Sequence, residues 1–196
     1  VFNVLGPLTN PAQPPYRLLG AYSRRTAELM AHALAELGVV RGFVVFSARD
    51  GANAGHEDAT GWDEASPMGP FELWEVRGKT VTKSVRDPLD YGIVRCDAEA
   101  LRGADAAWNA AALRSVLCER GGGVRLAGLA DALVLNAGLA LEVSGRAGSL
   151  AEGLAMARET LSSDVGAAFV HRLEFFGEIH RAGIRADLAG GGACHA

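Results

Sequence analysis

Between Arg17 and Ser47 the apolar pattern changes period twice, and this constrains the fold more than any other feature of the chain. Arg17 to Tyr22 (RLLGAY) is a short apolar run of strand length. Thr26 to Leu37 then places Leu29, Met30, Ala33, Leu34 and Leu37 at helical spacing, with Ser23 available as a cap and Gly38 as a stop. Gly42 to Ser47 (GFVVFS) is a second buried strand. Strand, helix and strand within about thirty residues make a βαβ unit, which predicts a parallel pair of strands in an α/β fold.

Downstream of Ser47 the punctuation changes. Residues 48–66 carry Asp50, Gly51, Asn53, Gly55, Asp58 and Gly61, all loop formers, so a long loop is expected at the carboxyl end of a strand. Open α/β sheets collect their ligands there. Phe71 to Arg77 and Thr80 to Val85, joined by Gly78-Lys79, read as a β-hairpin on the same sheet. The expected architecture is a mainly parallel sheet with one antiparallel hairpin strand, flanked by helices. Those helices are predicted over 105–117, 126–143, 149–161 and 165–181. Ser149 and Glu152 stand at capping-box spacing at the start of the third. At the amino end, Asn10-Pro11 and Pro14-Pro15 forbid a continuous helix across residues 1–15. Residues 1–185 are expected to form one α/β domain and 186–196 a frayed tail.

Composition narrows the function. With 49% hydrophobic and 21% charged residues the chain is globular. A net charge of −4 and no basic stripe leave a nucleic-acid role without an electrostatic footprint. Cys96, Cys118 and Cys194 are scattered, which disfavours a disulfide framework or a structural zinc site and suits a cytoplasmic protein. No run is read as approaching the ~18 apolar residues of a membrane span.

Few residues could carry chemistry. Asp63-Glu64 lies in the long loop. Two carboxylates with open coordination positions suit Mg²⁺, which keeps most of its waters and takes one or two protein oxygens beside substrate phosphates. The plainer reading is a pair of solvated loop charges. His56-Glu57-Asp58 reads as a loop tip, and His171 and His180 are half a turn out of register on one helix. The serines lack a nucleophile-elbow context, and no phosphate-binding or dinucleotide-binding glycine signature is present. Phe2-Asn3-Val4-Leu5-Gly6-Pro7-Leu8-Thr9-Asn10-Pro11 is the most specific stretch: an apolar segment ending in two proline bends, able to bring backbone close to a flat ligand or to serve as a hinge.

FNVLGPLTNPA resembles the segment that follows the helical first half of anthranilate phosphoribosyltransferases. The likeness continues through RLLGAYS, VVF, Trp62-Asp63-Glu64, GADAAWNA, Leu135-Asn136-Ala137 and SLAEGLAMARETLSS. It implies the carboxy-terminal domain of a two-domain, homodimeric enzyme of tryptophan biosynthesis. The enzyme would transfer a phosphoribosyl group from phosphoribosyl pyrophosphate to anthranilate, with Mg²⁺ as cofactor. It further implies that Asp63 and Glu64 hold one Mg²⁺ and that Asn10, Pro11 and Ala12 line the anthranilate tunnel. LGPLTNP is shared more weakly with pyrimidine nucleoside phosphorylases, the alternative enzyme reading. A non-catalytic homologue that binds another partner is the alternative outside catalysis. The chain departs from the pattern in three ways. The family's GTGGD loop and Lys-His-Gly-Asn segment are not in it, so it is expected to be a fragment without activity of its own. Residues 48–60 look inserted. Trp108 stands where Glu is common.

Overall fold

The computed structural model describes the backbone of residues 2–48, 60–119 and 124–190, with side chains described for 5–48, 60–118 and 126–180. The elements run α1 (Phe2–Leu8), β1 (Tyr16–Gly20), α2 (Arg24–Glu36), β2 (Arg41–Ala48), β3 (Gly61–Trp62), β4 (Phe71–Arg77), β5 (Thr80–Arg86), a 3-10 turn (Pro88–Tyr91), α3 (Ala106–Arg114), a π turn (Ser115–Glu119), α4 (Val124–Val143), α5 (Leu150–Ser162) and α6 (Val165–Gly190). They form two compact units: residues 1–102 with 122–158, and residues 103–121 with 159–196.

The sheet lies in the first unit in the order β1-β2-β4-β5, with β3 paired to the end of β2. The expected β1-α2-β2 unit is present. Tyr16 pairs with Arg41 and Gly20 with Val45 in parallel register, and Ser23 caps α2 by accepting from the Thr26 amide at 3.2 Å. The expectation of a mainly parallel sheet is corrected, because β1·β2 is the one parallel pair among the described residues. β2·β3, β2·β4 and β4·β5 are antiparallel. A parallel partner for β2 would require the chain to cross back to the other end of the sheet. Instead β3 pairs with Ser47 and Ala48, keeping the chain at the carboxyl end of β2, so β4 enters there and runs the opposite way. The β4–β5 hairpin is as expected.

β2 is buried over 42–47, as a strand covered on both faces must be. Val44 and Phe46 share a core with Ala27, Met30, Ala31 and Leu34 of α2 and Trp74 and Val76 of β4. The alternate residues face the other way. There Arg41 bonds the Glu142 carbonyl of α4, and Arg86 grips the Glu142 carboxylate at 2.6 and 3.0 Å. Burial opposes charge on Arg86, but its bond to Glu142 outweighs this and holds its proton more tightly than usual.

Further expectations need amending. Residues 2–8 form a helix despite Pro7, although Asn10-Pro11 does end it. The residue before a proline is normally pushed out of helical geometry by a clash with its own Cβ, and here that residue is Gly6. The window Leu126–Val143 of α4 has a mean hydropathy of 1.6 over 18 residues, so it is long and apolar enough to cross a membrane. Its Leu135, Leu139 and Val143 are buried within the protein, and its buried Glu142 is paired with Arg86. It therefore reads as a helix packed on the sheet. The cap of α5 differs slightly from a full capping box. Ser149 Oγ accepts from the Glu152 amide at 3.3 Å, while Glu152 reaches back to the Gly148 amide at 2.7 Å. α6 continues through Gly190, so it takes up the start of the expected tail, and residues 191–196 lie outside the described residues.

On the α2 face, Glu72 of β4 receives Arg24 Nε at 2.8 and 2.9 Å and Lys83 Nζ at 2.6 Å. Burial alone would raise its pKa; the two cations more than offset that and hold it below the usual value. A carboxyl lowered on folding stabilises the protein above its unfolded pKa, and the contribution is lost as pH falls through the folded value. Glu72→Gln is therefore expected to be less stable than the parent at pH 7, with the gap closing below about pH 4. Urea midpoints across that range measure it. A gap that does not change with pH would contradict the ion-pair account.

Candidate metal and substrate site

Asp63 and Glu64 follow β3 directly and are both exposed, whereas Ala65, Ser66 and Pro67 turn inward and are buried. The pair sits at the carboxyl end of the parallel strands, where a ligand site was expected. Several contacts hold its backbone. The Asp63 carbonyl lies against Gly20, the last residue of β1, so closely that a Cβ at Gly20 would stand 1.5 Å from that oxygen. Gly61 meets the Ser47 carbonyl in the same way, 2.0 Å from an ideal Cβ. Gly61 also donates to the Tyr22 carbonyl at 2.8 Å, and Thr60 bridges to Ser23. Ser47 Oγ donates to the Glu64 carbonyl at 2.7 Å. Asn136 of α4 accepts from the Ala65 amide at 3.3 Å and donates to the Ala65 carbonyl at 2.8 Å.

The carboxylates themselves form no ion pair among the described residues. Glu64 holds its proton more tightly than an ordinary glutamate, first because surrounding protein desolvates it and second because the Asp63 charge repels its ionised form. A divalent cation would relieve that repulsion. Among the described residues no group of three or more His, Cys, Asp or Glu side chains converges on a metal position. The donor set fits an ion such as Mg²⁺ that takes two protein carboxylates and completes its shell with water and phosphate oxygens.

Asn10, Pro11 and Ala12 form an exposed turn between α1 and β1. Asn10 Oδ1 accepts from the Ala12 amide at 3.0 Å and the Asn10 carbonyl from the Gln13 amide at 3.0 Å, leaving Gln13 at φ 44°. Buried Arg17 ties this stretch down through the Leu8 carbonyl at 2.9 Å and the Pro14 carbonyl at 3.4 Å. No hydrogen bond among the described residues joins the turn to Asp63 or Glu64. His56, Glu57 and Asp58 lie outside the described residues, as does most of the inserted stretch. Gly20, Ser47 and Asn136 do not stand out as site residues in the sequence. The available signal is Asn136, a carboxamide inside an otherwise apolar helix segment.

The chain as a whole has known relatives. Residues 1–169 match the glycosyl transferase family, a/b domain. The chain belongs to that family. Among its relatives it is similar to the anthranilate phosphoribosyltransferase of Desulforudis audaxviator, 41% identical over 178 residues, which are 91% of this chain and 47% of that protein. The same enzyme of Thioalkalivibrio sulfidiphilus is 40% identical over 90% of this chain and 47% of its own length. Of solved structures, anthranilate phosphoribosyltransferase from Thermus thermophilus superposes with a TM-score of 0.72 at 35% identity, covering 87% of this chain and 46% of that one. The Saccharomyces cerevisiae enzyme in complex with PRPP and Mg does so with 0.70 at 25% identity, covering 85% and 44%. The chain thus spans a little under half the length of the relatives it matches.

Proposed function

We propose that the chain is the part of an anthranilate phosphoribosyltransferase that holds the divalent cation. The full protein would transfer the phosphoribosyl group of phosphoribosyl pyrophosphate to the anthranilate nitrogen in tryptophan biosynthesis. The observation that carries this reading is the exposed Asp63–Glu64 pair, which has no ion-pair partner among the described residues, at the carboxyl end of β1 and β2, in a chain whose relatives bear that name. Mg²⁺ bound there would neutralise charge on the departing pyrophosphate. The protein's own part is to present two carboxylate oxygens from a backbone fixed by Gly20, Ser47 and Asn136. Asn10, Pro11 and Ala12 are proposed to border the anthranilate. Homodimeric assembly and a cytoplasmic location complete the reading. The latter is supported by the free thiols of Cys96 and Cys118. A pyrimidine nucleoside phosphorylase is not favoured by any specific feature of this site.

The test is direct. The full-length protein is expected to form phosphoribosyl anthranilate from the two substrates in a Mg²⁺-dependent way, followed by loss of anthranilate fluorescence. Phosphorolysis of uridine or thymidine in place of that reaction would overturn the assignment.

A further inference from the structure

Asp63 and Glu64 stand on a backbone that has left the sheet. β3 ends at Trp62, so the amide and carbonyl of buried Ala65 have no strand to pair with. Left unpaired, each would carry the desolvation penalty of a buried polar group. One side chain satisfies them together: Asn136 Oδ1 takes the amide at 3.3 Å and Nδ2 gives to the carbonyl at 2.8 Å. A second bond from Nδ2, to the Ala132 carbonyl at 2.9 Å within α4, fixes which way the carboxamide faces. Its neighbours Val134, Leu135 and Leu139 are buried apolar residues, and half-buried Asn136 is the polar side chain that α4 turns to Ala65 at this point. The carboxamide thus acts as a one-residue strand, contributed by a helix, on the residue adjoining Glu64. Ser47 holds the Glu64 carbonyl from the β2 side.

We propose that Asn136 is a positioning residue for the acidic pair: by clamping Ala65 it fixes the direction in which Asp63 and Glu64 present their carboxylates, and so sets the protein's affinity for a divalent cation. This rests on the reading of Asp63 and Glu64 as metal ligands. Groups that orient ligands without touching the metal typically govern its affinity by 10–100-fold.

The experiment measures Mn²⁺ binding to the full-length protein by electron paramagnetic resonance, with inorganic pyrophosphate present to complete the coordination shell. Melting temperatures without metal are recorded alongside. Asn136→Leu removes both bonds to Ala65. Asn136→Ser also removes them but leaves room for water, so it serves if the leucine variant does not fold. Either is expected to weaken Mn²⁺ binding by roughly tenfold or more. The same change added to Asp63→Asn/Glu64→Gln is expected to have no further effect. An affinity within about twofold of the parent would reduce Asn136 to a structural clamp, whatever the melting temperature does. Equal weakening with and without the carboxylates would show that it acts through something else. If Asp63→Asn/Glu64→Gln alone binds Mn²⁺ as the parent does, the metal reading fails, and the positioning role fails with it.

Discussion

Replacing Asp63 by Asn and Glu64 by Gln together is expected to lower turnover of the full-length enzyme by about 10²-fold or more, the scale seen when a transition-state charge loses its stabiliser. The Mg²⁺ concentration needed for half-maximal rate should rise. The substitutions keep side-chain size, and both carboxylates are exposed without an ion-pair partner among the described residues, so stability should hardly move. Acidity provides a second readout. Because Glu64 is raised by desolvation and by Asp63, protons should compete with the cation at a higher pH than for an ordinary glutamate. Asp63→Asn alone removes the repulsion, so the acid limb of metal binding should move down in pH. Replacing His56, Glu57 and Asp58 together is the control. If that change abolishes activity while Asp63→Asn/Glu64→Gln does not, the inserted loop holds the metal and the assignment fails.

Gly20→Ala is expected to be the most damaging single methyl in the sheet. Its Cβ would stand 1.5 Å from the Asp63 carbonyl oxygen and 2.4 Å from its carbon, both backbone atoms that cannot rotate away. Strand β1 and the 60–66 segment would have to separate, breaking the bond from the Gly61 amide to Tyr22 and the bridge from Thr60 to Ser23. The cost should be about 3 kcal/mol or more, the upper range for overpacking, or a fall of roughly 6–12 °C in melting temperature for a chain of this size. Gly69→Ala is the comparison, since a Cβ there meets nothing within 4 Å. Calorimetry on the two variants decides the matter: similar melting temperatures would show that the close approach at Gly20 is not a real constraint. Acquired alongside, the Mn²⁺ affinity of Gly20→Ala should fall, because the same shift displaces Asp63.

Much of this fold is legible in the order of the residues. The period change between Arg17 and Ser47 specifies β1-α2-β2 because helix and strand place side chains at different intervals, and Gly78-Lys79 specifies the hairpin because few turns join two such strands. Asp63 and Glu64 stand out by their chemistry, as adjacent carboxylates in a loop after a buried strand. The departures have local causes that periodicity does not carry. Gly6 permits the helix α1 through Pro7. The Leu126–Val143 window is apolar enough for a membrane by composition, yet the burial of its Leu135, Leu139 and Val143 and the pairing of its Glu142 with Arg86 make it a helix packed on the sheet.

The sequence by itself therefore determined β1-α2-β2, the hairpin and the later helices, with their order, and pointed to the candidate ligands, since these depend on neighbours within a turn or a few residues; α1 and β3 it did not. Tertiary structure decided the antiparallel entry of β4, because that follows from β3 pairing back onto Ser47 and Ala48. It also decided what holds the acidic pair. Gly20 meets Asp63, Ser47 meets Glu64 and Asn136 meets Ala65 across spans of 17 to 71 residues where hydrogen bonds are involved, through contacts between a side chain or bare Cα and another segment's backbone. Such contacts depend on where the backbone goes rather than on which residue it carries, so the partner position leaves no mark in the sequence.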